Sequence, residues 1–344
     1  MKRLITCAIA AAMALAGCGS PTATDSGGDK RGAAAYHKVY AKLDGLSGQQ
    51  RAEKLTALAK KEGTLVWYTA MQQELAEALA EKFTDAYGIK VDMYRADRTE
   101  VLQRVSEESS ARYKAGADVV ETPGAEMALL AEEGLFVPYR SPIRDSLVED
   151  ARFEDWTAER FNVQVPAWNT KKLPKAERPT SLRDLADSRY DGELTLGAED
   201  ADWFATVSGY WKSQGMSQAE IDKTFRAMAD RAFVMSGHSE RANLLAAGQF
   251  GLSASHYTHV NAGLIDDGAP VGYEPIVEPA ILGPNGTALM SSARHPAAAV
   301  LFMDWLMSDG QQVIAKSGTM PARADLFEKS DISSAQQVVI DVEG

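Results

Sequence analysis

The chain has 344 residues, of which 45% are hydrophobic and 24% are charged, and its formal net charge is −12. This length exceeds what one compact core usually spans, so two lobes are expected. The negative charge repels phosphate backbones and anionic lipid headgroups, so nucleic acid is not an expected partner. With Cys7 and Cys18 as its two cysteines, the remainder of the chain cannot form a disulfide, a zinc–thiolate site or a cysteine nucleophile.

The beginning of the chain has the pattern of an export signal. Two basic residues precede an apolar run over residues 4–15, which is shorter than the roughly 20 residues that cross a bilayer. This pattern predicts a cleaved signal peptide over residues 1–17, with an N-terminal core helix as the alternative. The tetrapeptide Leu15-Ala16-Gly17-Cys18 resembles the lipobox of bacterial lipoproteins. That resemblance implies that Cys18 is lipidated and anchors the protein outside the cytoplasm.

A tract of small and polar residues follows, and with Cys18 it predicts a lipidated flexible tether over residues 18–35. Leucines at helical spacing then predict a helix over residues 36–61. From residue 64 onward, predicted strands and helices alternate, which favours an α/β lobe with a largely parallel sheet. The predicted strands cover residues 64–69, 89–94 and 117–121, and the predicted helices cover residues 72–87, 100–112 and 126–133.

A second series of elements predicts a second lobe. Beyond it, residues 296–308 predict a strongly apolar helix that is interrupted by Asp304. The second series contains an extended run at 161–168, strands at 193–197, 232–235, 250–255 and 268–273, and helices at 180–186, 204–212, 217–231 and 243–247.

Short motifs occur in a fixed order over about residues 40 to 325. They include Lys-Glu-Gly-Thr-Leu-Val-Trp-Tyr-Thr at 61–69, Tyr-Gly-Ile-Lys-Val at 87–91, Ala-Asp-Val-Val at 117–120, Glu-Gly-Leu-Phe-Val-Pro-Tyr at 133–139, Gly-Gln-Phe at 248–250 and Gly-Ala-Pro-Val at 268–271. Together they resemble the extracytoplasmic solute-binding proteins of ABC importers, in the ferric-iron-type branch of the type II periplasmic-binding-protein fold.

The resemblance implies an α/β fold of two lobes, each a mixed, mostly parallel sheet flanked by helices, with a ligand cleft between them. Lobe 1 is expected to comprise residues 36–163 and 272–325, with its C-terminal helix packing across the lobes. Lobe 2 is expected to comprise residues 164–271, and residues 326–344 to form a C-terminal tail. Lobes joined by crossover strands can close on a ligand by a hinge motion.

The resemblance also implies a function. The expected protein is the monomeric solute-binding component of an ABC importer, attached to the membrane by its lipid alone, which delivers cargo to a permease and its ATPase. The expected cargo is iron, an iron chelate or a small organic anion such as a phosphonate, and no cofactor is expected. The alternatives are a sensory lipoprotein that presents ligand to a receptor kinase, and an extracellular hydrolase, for which the sequence has no nucleophile-elbow or zinc-protease motif.

Two predicted turns lead from a strand into a helix, at residues 68–70 and 198–202. Backbone N–H groups at such helix starts are typical anion sites, so both turns are candidates for ligand binding. Candidate ligand contacts likewise follow the strand ends, with core packing as the alternative for the aromatic residues and an ordinary surface turn as the alternative for the polar ones. The candidates are Tyr68, Thr69, Glu121 and Thr122 in lobe 1, and Trp168, Trp203, Ser236, His238 and Tyr257 in lobe 2.

The segment around Tyr257 is also a candidate metal site. His256 and His259 flank the tyrosine and offer imidazole nitrogens, which suit transition metals. Their spacing brings them together if the segment is helical. Ferric-binding members of the family typically carry two adjacent tyrosines near this position, whereas this chain has Tyr257 alone. A chelated metal or a small organic solute is therefore expected as readily as a bare ferric ion.

Overall fold

The structure, a computed structural model, describes residues 30–111, 116–330 and 332–342. The predicted signal peptide (1–17), the predicted lipidation site Cys18 and most of the predicted tether lie outside the described residues. The last residues of that tether are helical, because the first helix begins at Lys30.

The helix predicted over residues 36–61 is two helices, which are separated by a turn at Gly45 with a φ of 71°. The helix predicted at 180–186 is a short 3-10 helix, the one predicted at 243–247 begins at His238, and the other predicted helices are present with small shifts at their ends. The helices at Thr258–Asp266, Gly310–Lys316 and Ala324–Phe327 were not predicted. The helices are α1 Lys30–Leu43, α2 Gly48–Glu62, α3 Gln73–Tyr87, α4 Arg98–Ser110, α5 Gly124–Glu132, α6 Ala201–Ser213, α7 Gln218–Ala229, α8 His238–Ala246, α9 Thr258–Asp266, α10 Pro296–Leu306, α11 Gly310–Lys316 and α12 Ala324–Phe327, with short 3-10 helices at Pro142–Ser146, Glu149–Ala151, Lys175–Glu177, Leu182–Ala186 and Ser188–Tyr190.

The strands of the described residues form one mixed sheet, in the order β2-β1-β3-β10-β5-β8-β6-β7. The ends of this sheet are parallel, as predicted, whereas its centre is antiparallel. The strands are β1 Thr64–Thr69, β2 Lys90–Arg95, β3 Val119–Pro123, β4 Phe136–Val137, β5 Thr157–Asn169, β6 Leu194–Gly197, β7 Phe233–Met235, β8 Leu252–Tyr257, β9 Val271–Gly272, β10 Ala280–Met290, β11 Met320–Pro321 and β12 Gln337–Val339.

Strands β5 and β10 connect the two halves of the molecule. The first part of β5 pairs with β10 and β11, and its second part pairs with β8 and β9. Strand β10 pairs with β3 on its other side, and its pairing with β5 shifts register between Asn285 and Gly286. The two long strands are therefore the crossover between the lobes.

Two principal hydrophobic cores flank this crossover. The larger core surrounds β1–β3 and α10, where Trp67, Phe83 and Phe302 pack together with ring centroids 5.1 Å apart for each of the pairs Trp67–Phe302 and Phe83–Phe302. The second core contains Trp168 and Trp203. Two cores on either side of a shared pair of strands confirm the predicted two-lobed α/β fold.

Helix α10 belongs to the larger core, and all of its residues are buried. Its one charged residue, Asp304, is paired with Arg51 of α2 and accepts a hydrogen bond from the Tyr139 hydroxyl at 2.6 Å. A buried carboxylate of this kind is tolerated because its charge and its lone pairs are both satisfied. No helix among the described residues has the length and apolar character required to cross a membrane.

The residues assigned above to a C-terminal tail contribute strand β12, which pairs in parallel with the beginning of β10. The pairing is short and runs from Ala280 opposite Gln337 to Leu282 opposite Val339. The end of the chain therefore returns to the crossover between the lobes.

Candidate ligand cleft

A cavity of about 70 Å³ lies between the lobes, beside the crossover strands. It is lined by side chains from both lobes, so closing or opening of the lobes changes its shape. Its walls include Arg98, Pro123, Gly124 and Ala125 from lobe 1, Asn162, Gln164, Gly283, Pro284 and Asn285 from the crossover, Glu199, Asp200, Trp203, His238 and Tyr257 from lobe 2, and Ile340 and Val342 from the end of the chain.

The lobe 2 wall is built from the carboxyl ends of three neighbouring strands. Strand β6 runs parallel to both β7 and β8, so the three strands end at the same edge of the sheet. Glu199 and Asp200 follow β6, His238 follows β7, and Tyr257 ends β8. Residues far apart in the sequence therefore meet at one place, as expected for parallel strands.

Asp200 is the centre of a buried hydrogen-bond network. Its carboxylate accepts hydrogen bonds from Arg241 Nη1 at 2.9 Å and from the Gly197 N–H at 3.1 Å, and it also accepts one from the Ser255 hydroxyl. Arg241 is only 1% exposed, so this is a buried ion pair. The network holds the first turn of α6 against α8.

His238 is oriented by the same network. Its Nδ1 lies 2.6 Å from Arg241 Nη2, and a guanidinium can only donate, so Nδ1 is the acceptor. The proton of the neutral ring is therefore on Nε2, which faces Glu199 Oε1 at 3.8 Å and Asp200 Oδ1 at 3.7 Å. Burial lowers the pKa of His238, although the nearby Asp200 opposes this shift.

Glu199, Asp200 and His238 offer ligand atoms that lie within 4.8 Å of one another. Glu199 Oε1 accepts the Gly237 N–H at 2.9 Å, while its Oε2 is buried without a hydrogen-bond partner among the described residues. The Tyr257 ring lies against His238 with the ring centroids 4.2 Å apart. Burial raises the pKa of Tyr257 to about 12, so its phenol is protonated at neutral pH.

The lobe 1 wall carries positive character. Arg98 begins α4, is exposed and lies 3.5 Å from Glu126. The N-terminus of α5 points at the same cavity through Gly124. From lobe 2, Trp203 also lines the cavity, and its buried indole N–H has no partner among the described residues. The cavity can therefore contact a cargo with carboxylate, imidazole, phenol and indole groups from lobe 2 and with the guanidinium group of Arg98 from lobe 1.

The predicted anion turn at residues 68–70 is occupied by a carboxylate of the chain itself. Glu121 Oε2 accepts hydrogen bonds from the N–H groups of Ala70 and Met71 at 3.0 and 2.9 Å, and from the Thr69 hydroxyl. Its other oxygen, Oε1, is 2.8 Å from Arg160 Nη1. The second predicted turn, at residues 198–202, instead supplies acceptors, because its Asp200 and Glu199 carboxylates accept from the Gly197 and Gly237 N–H groups outside it.

The predicted contacts that line the cavity are Trp203, His238 and Tyr257. The Tyr68 hydroxyl instead donates to Glu108 on α4 at 3.0 Å, because alternate side chains of a strand point to opposite faces. Elsewhere, Thr69, Glu121 and Thr122 are buried beside the crossover, Trp168 is buried in the second core, and Ser236 is exposed before α8.

The two histidines that flank Tyr257 point in different directions. His256 is buried, and its Nδ1 is hydrogen-bonded to Asn261 of α9. His259 Nε2 accepts a hydrogen bond from Gln72 of lobe 1 at 3.2 Å, which is a direct contact between the lobes. Burial lowers the pKa of each histidine to about 4. Because His256 lies in β8 and His259 in the following helix, the two rings bond to different parts of the molecule and do not form the predicted pair.

The residues that line the cavity but were not predicted from the sequence include Arg98, Glu199, Asp200, Ile340 and Val342. Glu199 and Asp200 lie within a turn that was singled out for its backbone, so the position was recognised but not its chemistry. Arg98 gave no local signal apart from its place at a helix start.

Comparisons with known proteins agree with this geometry. Residues 78–338 match the family described as bacterial extracellular solute-binding protein. The Fe(3+)-binding periplasmic protein of Serratia marcescens is 25% identical over 275 residues, which cover 73% of this chain and 75% of that relative.

Solved structures show the same fold. Iron-bound HitA from Pseudomonas aeruginosa has a TM-score of 0.65 at 19% identity, covering 76% of this chain and 87% of its own. AfuA from Actinobacillus pleuropneumoniae, solved with exogenous fructose-6-phosphate bound, has a TM-score of 0.67 at 22% identity, covering 82% of this chain and 93% of its own. The family match covers most of the chain and confirms the resemblance given by the ordered motifs. The chain therefore belongs to the bacterial extracellular solute-binding proteins.

Proposed function

We propose that this solute-binding protein serves an ABC importer and that its cargo is a ferric ion with one or two small ligands. Glu199, His238 and Tyr257 hold the ion in the cleft, and closed lobes present it to the permease. The names of the iron-binding relatives from Serratia and Pseudomonas support this cargo.

The observation that carries the proposal is the free carboxylate oxygen of Glu199. Glu199 lines the cavity between the lobes together with the His238 imidazole and the Tyr257 phenol, and its other oxygen, Oε1, is 3.8 Å from His238 Nε2. Carboxylate, phenolate and imidazole are oxygen and nitrogen donors of the kind that bind iron. The cavity of about 70 Å³ offers room for an ion together with small ligands.

Iron binding must displace the Tyr257 proton, because the phenol is protonated at neutral pH. It also requires the other neutral tautomer of His238, with the ring proton on Nδ1 and Nε2 free, so the hydrogen bond from Arg241 to Nδ1 has to break. That change releases no net proton, whereas loss of the Tyr257 proton does, so the apparent affinity for iron should rise with pH.

Glu199→Gln is expected to weaken iron binding at least about tenfold, because an amide replaces the charged ligand. Titration with ferric nitrilotriacetate, followed by calorimetry and by the visible absorption of an iron–phenolate complex, measures the effect. Glu240→Gln on the exposed surface of α8 is the matched control and should bind as the wild type does. Equal affinity of Glu199→Gln and wild type would contradict the proposed iron site.

A small organic anion is the second candidate cargo. Arg98 and the unpartnered indole N–H of Trp203 favour it, because both can donate to a phosphonate or a carboxylate. Binding of methylphosphonate without iron, lost in Arg98→Gln and retained in Glu199→Gln, would select this cargo over the ferric ion.

We also propose that Cys18 is lipidated and anchors the protein to the membrane. The lipobox resemblance supports the anchor, and family membership supports a location outside the cytoplasm. In the expressed full chain, Cys18→Ser should move the protein to the soluble fraction. Cys7→Ser, within the apolar run, is the control and should leave it with the membranes. Membrane retention of Cys18→Ser would refute the anchor.

A further inference from the structure

The C-terminal segment, residues 336–342, is fixed to lobe 2 and to the crossover. The Ala280 N–H donates to the Gln336 carbonyl at 2.9 Å, and the Ile340 N–H donates to the Leu282 carbonyl at 2.9 Å. The Tyr210 hydroxyl of α6 donates to the Gln336 side chain at 3.0 Å. Bonds at both ends of the segment hold it in an ordered position.

The same segment reaches the cleft. Ile340 and Val342 both line the cavity between the lobes. A Cβ atom at Gly124 would lie 3.0 Å from Val342 Cγ1, and one at Gly283 would lie 3.4 Å from Ile340 Cδ1. The segment therefore packs against the start of α5 in lobe 1 and against β10 so closely that any side chain at Gly124 would force a neighbour to move.

Its side chains also contact both hydrophobic cores. Ile340 belongs to the core of lobe 2, Val339 packs on the core of lobe 1, and Val342 packs on both. Val339, Ile340 and Val342 all line a second groove beside Glu149 and Phe153, but of these three Val339 does not line the cleft cavity. Ile340 and Val342 therefore reach the cleft, whereas Val339 of the same segment does not.

We infer that the C-terminal segment is a wall of the cargo cleft and that Ile340 and Val342 set the size of the cargo. This inference rests on the proposed function, since it takes the cavity to be the cargo site. Both residues lie beyond residue 338, where the family match ends.

Val342→Trp tests the wall by filling a cavity of about 70 Å³. Affinity for iron, measured with ferric nitrilotriacetate, should fall at least about tenfold, since overpacking of this kind is costly. Val339→Trp places the same bulk on the same segment but outside the cavity, so its affinity should stay close to that of wild type. Equal affinities of the two variants, at equal thermal stability, would overturn the inference.

A cross-link tests the position of the segment without any cargo. In the full chain with Cys7→Ser and Cys18→Ser, the pair Gly124→Cys and Val342→Cys should form a disulfide on mild oxidation, because the two positions are in contact. The pair Gly124→Cys and Val339→Cys is the control and should remain reduced. Absence of the first cross-link would overturn the inference. If the cross-link forms but the wild-type protein binds no iron, the position of the segment is confirmed. The proposed cargo, and the role of Ile340 and Val342 in setting its size, would then be contradicted.

Discussion

Arg241→Met is expected to lower the free energy of unfolding by about 3–5 kcal/mol, because it leaves a buried carboxylate without its charged partner. Arg241 is 1% exposed, and its guanidinium donates to Asp200 at 2.9 Å. Methionine preserves much of the side-chain volume, so the loss reports on the charge and not on a cavity. Urea unfolding of the two proteins, fitted with a shared slope, measures the difference.

The double variant Asp200→Asn with Arg241→Met separates the effect of an unpaired buried charge from the effect of altered packing around the arginine. When both charges are removed, no unpaired charge remains in the interior, so the double variant should be more stable than Arg241→Met alone. Arg189→Met is the control, because its ion pair with Asp187 is exposed and should contribute nothing measurable. A double variant that is less stable than Arg241→Met would show that packing around the arginine, and not the unpaired carboxylate, causes the loss.

The first lobe was predictable because its signals are local. Leu75, Leu79 and Phe83 recur every fourth residue, and all three are buried on one face of α3. This repeat of apolar residues follows from the geometry of a helix, so it can be recognised without knowing which element the helix packs against. The alternation of strands and helices from residue 64 to residue 133 was therefore readable from the sequence.

Strand β10 was not predicted, although it is central to the sheet. Its middle reads Gly283-Pro284-Asn285-Gly286, which is typical of a turn. In the structure this stretch is held extended between β3 and β5. A Cβ atom at Gly286 would lie 2.1 Å from the Trp156 ring, so glycine is required by a distant neighbour and not by a turn. Such a requirement cannot be read from local sequence.

Only part of the cleft was predicted, because strand ends can be read from local sequence whereas the partners of the carboxylates cannot. His238 and Tyr257 were identified because they follow strands, and the structure places both at the cavity. The carboxylates were harder to interpret. A helix start with free N–H groups predicts an external anion, but Glu121 from another strand satisfies those groups in lobe 1. Which acid reaches which helix start depends on the order of strands in the sheet, and that order is tertiary information.

The second large effect on stability is expected from removal of the buried Glu121 carboxylate. Glu121→Ala is expected to lower the free energy of unfolding by about 3–5 kcal/mol, because two backbone N–H groups lose their acceptor inside the protein and Arg160 keeps only Glu159 and Asn285 as partners among the described residues. The vacated space lies at the start of α3, where the helix dipole favours a negative charge. A small carboxylate from solution should therefore replace the lost side chain in part.

Thermal unfolding in increasing formate measures this replacement. The melting temperature of Glu121→Ala should rise with formate more steeply than that of wild type, and sodium chloride at the same ionic strength should not reproduce the rise. Glu108→Ala is the matched control, because Glu108 also accepts from a tyrosine and an arginine but on the partly exposed face of α4. Its stability should fall by about 1 kcal/mol or less, without rescue by formate. The contradicting result is that formate stabilises Glu121→Ala no more than it stabilises Glu108→Ala. The start of α3 would then not hold an anion from solution, and the Glu121 side chain would stabilise the wild-type protein through packing alone.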